Sequence, residues 1–286
     1  MTTNSRIDLH THSQCSDGTL TASELVAAAV LRAVRVLALT DHDTIAGCEE
    51  ARTASAAAGP AGPLFIAGVE LTCDWRGREI HVVGLDIDTR HEALQAQLTS
   101  VRQLRETRLV AMGQRLDAAG LPGGALVDEI LAERSSATRM HLARALVRSG
   151  QVRTTEEAFE RWLRRGRPGY APAQWPELSA TVECIVRAGG LAVLAHAQRY
   201  QLSAGGLREL TARFKDCGGA GIEVSIAGIS PGDSDRLASL ARRYGLAGSI
   251  ASDFHEPGIP WRPVGRFDKL PDGIEPIHEE LLRRHR

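Results

Sequence analysis

The sequence predicts an α/β fold, a parallel sheet or barrel covered by helices and carrying a helical insertion, on three observations. Short apolar runs alternate with helix-type patterns over residues 1–90. The same alternation resumes over residues 179–286. Between them, in residues 91–178, apolar side chains recur only at helical spacing. The expected organisation is one α/β domain built from the two outer stretches, with the middle stretch as a helical insertion or cap.

Residues 7–9 read as a short strand and residues 23–33, rich in Ala, Leu and Val, as a helix. Thr21 is placed to cap that helix, and Glu24 at its third position completes a capping box. Residues 34–39 read as a buried strand, and 44–58 as a helix running out into Gly59-Pro60-Ala61-Gly62-Pro63. Strands follow at 64–67 and 80–85. In the insertion, Leu94, Leu98, Val101, Leu104, Leu109, Met112 and Leu116 make one long amphipathic helix. Shorter helices are expected at 126–132, 140–148 and 155–163. Strands at 191–195, 221–224 and 247–251 alternate with helices near 207–216 and 233–244. After Asp253 the chain is rich in Pro and Gly and ends in a short charged helix.

Composition narrows the class of function. The 286 residues carry a formal net charge of −1, so no global basic field marks a long nucleic acid as partner, and anion binding has to be local. Five cysteines, scattered and without a C-x-x-C pair, fit reduced thiols better than a disulfide framework. The first residues lack the apolar core of a signal peptide. The longest apolar stretch, 25–39, is broken by Arg32 and Arg35, so no membrane span is expected. The expectation is a soluble cytoplasmic protein with no obligate protein partner.

Functional residues of parallel β/α folds sit at the C-terminal ends of strands. Here one apolar run after another leads into metal-type side chains: His10-Thr11-His12 with Asp17 shortly after, Thr40-Asp41-His42-Asp43, Glu70, His196, and Ser252-Asp253-Phe254-His255. His81 stands inside a strand between Ile80 and Val82. A single His beside an apolar run is more often a hydrogen-bonded core residue than a ligand. Asp8, His10 and His12, however, are two apart and would share one face of a strand. Burying so many polar groups without a partner would cost several kcal/mol, and a metal supplies that partner. His91, His278 and His285 lie in polar contexts and read as solvated. Glu223 is either a partner that orients a histidine or a buried structural carboxylate.

His10-Thr11-His12, Ser16-Asp17-Gly18, Thr40-Asp41-His42, Gly68-Val69-Glu70, His81, His196 and Ser252-Asp253-Phe254-His255 closely resemble the PHP (polymerase and histidinol phosphatase) family, in order and spacing over the whole chain. Within it the chain is most similar to the bacterial nucleoside 3′,5′-bisphosphate phosphatases and the related 5′-to-3′ exoribonucleases. The resemblance implies a distorted (β/α)7 barrel with a helical insertion. It also implies a centre of three divalent metals, manganese first and zinc or iron as alternatives. One ion would be held by His10, His12, Glu70 and Asp253, a second by Glu70, His81 and His196, and a third by Asp17, His42 and His255. Asp17, His42, Glu70, His196 and His255 are the candidate catalytic residues. One departure stands out, since the family's His-Pro-Gly-Arg-Tyr is His196-Ala197-Gln198-Arg199-Tyr200 here, which removes a backbone constraint beside a ligand.

Three divalent ions, three carboxylates and a bridging hydroxide leave a charge of about +2, suited to a phosphate dianion, with the hydroxide as in-line nucleophile. Asp41 and Asp43 are candidates for orienting a ligand or relaying a proton. The substrates implied are nucleoside 3′,5′-bisphosphates and short 5′-phosphorylated RNA. Their second phosphate needs its own cationic pocket, for which Arg139, His141, Arg167 and Arg199 match the subgroup's phosphate-binding positions. Arg164 and Arg165 read instead as solvated charges at a helix C-terminus. The rival readings are a histidinol-phosphate phosphatase, a catalytically silent PHP module, and an amidohydrolase. The last usually needs a lysine at a strand end, and the lysines here are Lys215 and Lys269.

Overall fold

In the computed structural model, which describes residues 7–133, 136–258 and 263–286, seven strands form one sheet in sequence order. They are β1 (Ile7–Asp8), β2 (Val36–Leu39), β3 (Leu64–Trp75), β4 (Arg78–Leu85), β5 (Leu191–Leu194), β6 (Gly221–Ile226) and β7 (Ala247–Ala251). β1 and β7 approach each other as well: Leu9 N donates to Ile250 O at 3.3 Å and Thr11 bridges Phe254 in parallel, so the sheet nearly closes into a barrel. Ile7, Leu9, Val36, Ala38, Ile66, Val83, Val193 and Ile250 form one apolar cluster with Ile277 and Leu281 of the last helix.

The sheet is not parallel throughout, which corrects the uniform alternation expected. β3 pairs antiparallel with β4, and β4 with β5. The cause is a two-residue turn, Arg76-Gly77, in which both residues have positive φ (52° and 72°), the geometry that suits the twist of a tight hairpin. Asp74 Oδ2 accepts from Gly77 N at 3.0 Å and seals it. The hairpin lengthens β3 to 12 residues, so Glu70 lies mid-strand and not at a strand end.

The barrel helices are α1 (Ala22–Leu31), α2 (Cys48–Ala57), α7 (Leu178–Arg187), α8 (Ala204–Asp216), α9 (Pro231–Tyr244) and α10 (Ile277–Arg284). α1 starts as its sequence dictates, with Thr21 accepting from Glu24 N and Glu24 returning a bond to Thr21 N. α7 was not foreseen. Its buried face of Leu178, Thr181, Val182, Cys184 and Ile185 includes β-branched residues, and no side chain caps its start.

The chain divides into two compact units, Met1–Gln97 with Pro176–Arg286, and Leu98–Trp175. The division falls a few residues inside the expected boundaries of 90/91 and 178/179. The first turns of α3 (Glu92–Ala118) belong to the barrel unit, where Gln97 Nε2 donates to Thr181 Oγ1 at 3.2 Å. The second unit contains α4 (Gly123–Glu133), α5 (Arg139–Arg148) and α6 (Thr155–Ala158), the last continuing into a widened turn at Phe159–Leu163. Leu109, Met112, Leu116, Leu126, Val127, Ile130, Leu142, Leu146 and Leu163 pack together as its core. No helix among the described residues is long and apolar enough to cross a membrane.

Candidate metal centre

The site is assembled by latches between neighbouring strand ends of the barrel unit. Thr11 Oγ1 donates to Ala38 O at 2.7 Å and Thr40 N to Thr11 O at 2.9 Å, tying the end of β1 to the end of β2. Asp253 N donates to His10 O and His12 N to Phe254 O, tying it to the end of β7. His10 and His12 are fixed between these seams and are fully buried. Asp8 does not join them. Strand pairing stops at Asp8, and its carboxylate accepts from Ser252 N at 2.9 Å and Gly265 N at 2.7 Å, which holds the segment bearing Asp253 and His255. The shared face expected for Asp8, His10 and His12 is therefore limited to the two histidines.

Asp41 accepts from Ser13 N and Ser13 Oγ, both at 2.7 Å, and from Ser16 Oγ at 2.6 Å. Burial still lifts its carboxyl to about 6, against the pull of those donors. The bonds close the loop that presents Asp17. Gly18 makes the closure possible, because a β-carbon there would lie 2.5 Å from His12 O. Asp43, at φ 50°, accepts from Thr72 N and Thr72 Oγ1 at 2.8 Å, which clips β2's exit to β3 beside Glu70. Both aspartates are thus committed to bonds that tie down segments bearing candidate ligands.

Glu70 is the hub. Its Oε1 lies 2.9 Å from His81 Nδ1 and 2.8 Å from His196 Nε2. Its Oε2 lies 2.9 Å from His42 Nδ1, 3.2 Å from His10 Nε2 and 3.4 Å from His12 Nε2, yet accepts no hydrogen bond. Asp253 Oδ1 is 3.7 Å from His10 Nε2, 3.5 Å from His12 Nε2 and 3.6 Å from His255 Nδ1. Asp17 faces His255 Nε2 at 3.4 Å and His42 Nε2 at 3.8 Å. His196 and Asp253 both have positive φ (29° and 52°), a strained backbone that aims side chains inward at two strand exits.

The electrostatics are those of a ligand cluster. Burial opposes ionisation of Glu70, but the surrounding imidazoles hold its carboxyl well below the usual range, and they do the same for Asp17. Asp253 is held low against its own burial by Arg199 and His255. Burial, with His255 nearby, drives the His12 imidazole down to about 3. Burial would also lower His81 and His255, but Glu70 lifts the first and Asp17 the second to about 9.

These residues fit divalent metal ions. His10 Nδ1 is spent on Glu223 Oε1 at 2.6 Å, which leaves Nε2 as a bare donor atom facing His12 Nε2 at 3.0 Å. Two imidazole nitrogens so close, ringed by carboxylate oxygens, are satisfied by a cation between them. The ligand atoms sort into four overlapping groups: His12-Asp17-His42-His255, His10-His12-Asp253, His10-Glu70-His196, and His42-Glu70-His81. All nine ligands expected from the sequence thus meet in one cluster. The grouping differs in detail, with His12 also near Asp17 and His42 also beside Glu70.

The expected phosphate-binding residues belong to both units. Arg139, His141 and Arg167 lie in the second unit, where Arg139 opens α5 and Arg167 is exposed in the turn before Tyr170. His141 has a structural bond as well: its Nδ1 accepts from Thr138 N at 2.9 Å, so its ring proton sits on Nε2. Arg199 lies in the barrel unit with Nη1 2.6 Å from Asp253 Oδ2. His278 is buried and His285 Nε2 pairs with Asp86 Oδ1 at 2.9 Å, so neither is simply solvated as expected. Nothing in the sequence marks a role for Ser13, and Ser16 and Tyr200 stand in motifs that do not indicate theirs. Their signal was only that polar residues flank ligands closely in sequence.

Buried imidazoles and carboxylates gathered at the strand ends of a β/α barrel define a metal-dependent hydrolase. Residues 8–164 match the PHP domain, and the chain belongs to the PHP family of phosphoesterases. It is 42% identical over 281 residues to a 3′,5′-nucleoside bisphosphate phosphatase of Chromobacterium violaceum, covering 97% of each chain. It is 40% identical over 276 residues to a 5′-3′ exoribonuclease of Haemophilus influenzae, covering 96% of this chain and 99% of that one. Among solved structures it resembles a Chromobacterium violaceum protein described as an amidohydrolase, with bound sulfate and no metal, at TM-score 0.90 and 41% identity, covering 98% of this chain and 96% of that one. A Bifidobacterium adolescentis protein described as a metal-dependent phosphoesterase matches at TM-score 0.80 and 29% identity, covering 97% and 96%.

Proposed function

We propose that this protein hydrolyses the 3′-phosphate of nucleoside 3′,5′-bisphosphates and, acting on the same bond within a chain, removes 5′ nucleotides from short 5′-phosphorylated RNA. The observation that carries the chemistry is Glu70, one buried carboxylate against five histidines. The choice of substrate rests on the two relatives whose names give a bisphosphate phosphatase and a 5′-3′ exoribonuclease, each matched over nearly its whole length.

Three ions, manganese by preference, would be held by His10, His12, Asp17, His42, Glu70, His81, His196, Asp253 and His255. When bound, such ions activate a water near neutral pH and clamp the attacking and leaving oxygens of a phosphoryl group. The chain's own part is to fix the ligands. Glu223 sets the His10 tautomer and accepts from His196 N at 2.6 Å, and Asp41 and Asp43 hold the loops of Asp17 and His42. Arg139, His141, Arg167 and Arg199 are the proposed contacts for the phosphate that is not cleaved, where guanidinium groups can pair with two oxygens at once. Short substrates need only such a local pocket, in keeping with the net charge of −1 and a cytoplasmic setting.

Amide hydrolysis fits less well, because Lys215 donates to Gly245 O on the helical surface and Lys269 is exposed, both outside the cluster. A silent module fits poorly with nine ligand-competent side chains, most of them buried, gathered in one place. The test is manganese-loaded protein offered adenosine 3′,5′-bisphosphate, histidinol phosphate and a short 5′-phosphorylated RNA. Phosphate release from the bisphosphate and mononucleotide release from the RNA are expected. Turnover of histidinol phosphate alone would overturn the substrate assignment and keep the phosphoesterase.

A further inference from the structure

β4 and β5 form a regular antiparallel ladder from Leu85↔Leu191 to Val82↔Leu194. The next rung joins His81 and Ala195, and there the ladder is altered. Ala195 N donates to His81 O at 3.2 Å as a ladder requires. The reciprocal bond is missing, and a phenol stands in its place: His81 N donates to Tyr200 Oη at 2.9 Å, and Tyr200 Oη donates to Ala195 O at 2.7 Å. Paired residues of this kind normally exchange both bonds directly. A hydroxyl inserted into one of them pushes the two backbones apart on that side. The Tyr200 ring also packs edge-on against His196, with centroids 5.7 Å apart.

The altered rung sits where two ligands leave the sheet. His81 belongs to the rung itself, and His196 follows Ala195 directly. Their imidazoles converge on one oxygen, Glu70 Oε1, at 2.9 Å and 2.8 Å. We propose that Tyr200 is a positioning residue, a wedge in the β4–β5 ladder that sets the bite of His81 and His196 around Glu70. The inference rests on the metal-centre reading above. It assigns Tyr200 no contact with substrate, and its hydroxyl acts only through backbone N–H and C=O groups.

Tyr200→Phe removes the wedge and keeps the ring. His81 N can then bond directly to Ala195 O, so the metal-free fold is expected to keep its melting temperature or gain slightly. The geometry of the two histidines is expected to suffer. Both proteins are stripped, titrated with manganese and analysed for affinity and for ions per chain after gel filtration. The variant is expected to bind its weakest ion about 10- to 100-fold less tightly, in the range found for residues that orient metal ligands, with kcat falling in parallel. Arg78→Ala removes only the 3.4 Å contact of Arg78 with Tyr200 O and is expected to bind metal like the wild type. Unchanged affinity and stoichiometry in Tyr200→Phe would overturn the wedge while leaving the metal centre intact. A large drop in metal-free melting temperature would reduce Tyr200 to ordinary packing and overturn it as well. A wild-type protein that binds no manganese would overturn the metal-centre reading itself and the wedge with it.

Discussion

Glu70→Gln is expected to abolish phosphate release from adenosine 3′,5′-bisphosphate, lowering kcat by at least about a thousandfold. Gln keeps the shape and loses the charge that five histidines share, at contacts of 2.8 to 3.4 Å. Metal assistance supplies several kcal/mol of transition-state stabilisation, and about 1.4 kcal/mol corresponds to a factor of ten. Losing the hub oxygen removes a ligand from two of the four candidate groups at once. The fold should survive, because β3 is paired with β4 without interruption from Gly68 to Trp75, on either side of Glu70. The checks are bound metal per chain and steady-state rates beside a melting curve. A folded variant with wild-type metal content and rate would remove Glu70 from the centre.

Arg139→Ala is expected to separate two classes of substrate. Charge-assisted hydrogen bonds contribute about 1.5–3 kcal/mol each, so losing one bidentate phosphate contact should raise KM for the bisphosphate by roughly 10- to 100-fold. A simple phosphomonoester, lacking the second phosphate, should be cleaved with nearly unchanged kcat/KM. Arg139 opens α5, which remains capped by Thr138 through Met140 N at 3.2 Å, so the helix should persist. Equal losses on both substrates would place Arg139 outside phosphate recognition.

Much of the barrel was legible because strand-end chemistry is local. A run such as Val36-Leu37-Ala38-Leu39 followed by Thr-Asp-His announces both a buried strand and what it carries. The α1 cap was legible for the same reason, since Thr21 and Glu24 complete their bonds within one turn. The β3–β4 hairpin was missed because its turn is Arg76-Gly77, without the Asn-Gly or Asp-Gly pair that marks a tight turn most plainly. Asp8 was grouped with the histidines because alternation was extended past the end of a two-residue strand. Tyr200 was the least legible, whereas Glu223 reads as a partner of a histidine or a buried carboxylate without the sequence saying which histidine it meets. Their partners His81, Ala195, His10 and His196 lie far away in sequence or act through backbone atoms, and no periodicity encodes such a contact.

The measurement that bears most directly on the central claim is a manganese titration of metal-stripped protein, with bound ions counted and phosphate release from adenosine 3′,5′-bisphosphate followed in the same samples. Activity should be absent from the stripped protein, rise only as ions fill the Glu70 cluster, and reach its plateau when the site is full. Full turnover by stripped protein in the presence of chelator would contradict it.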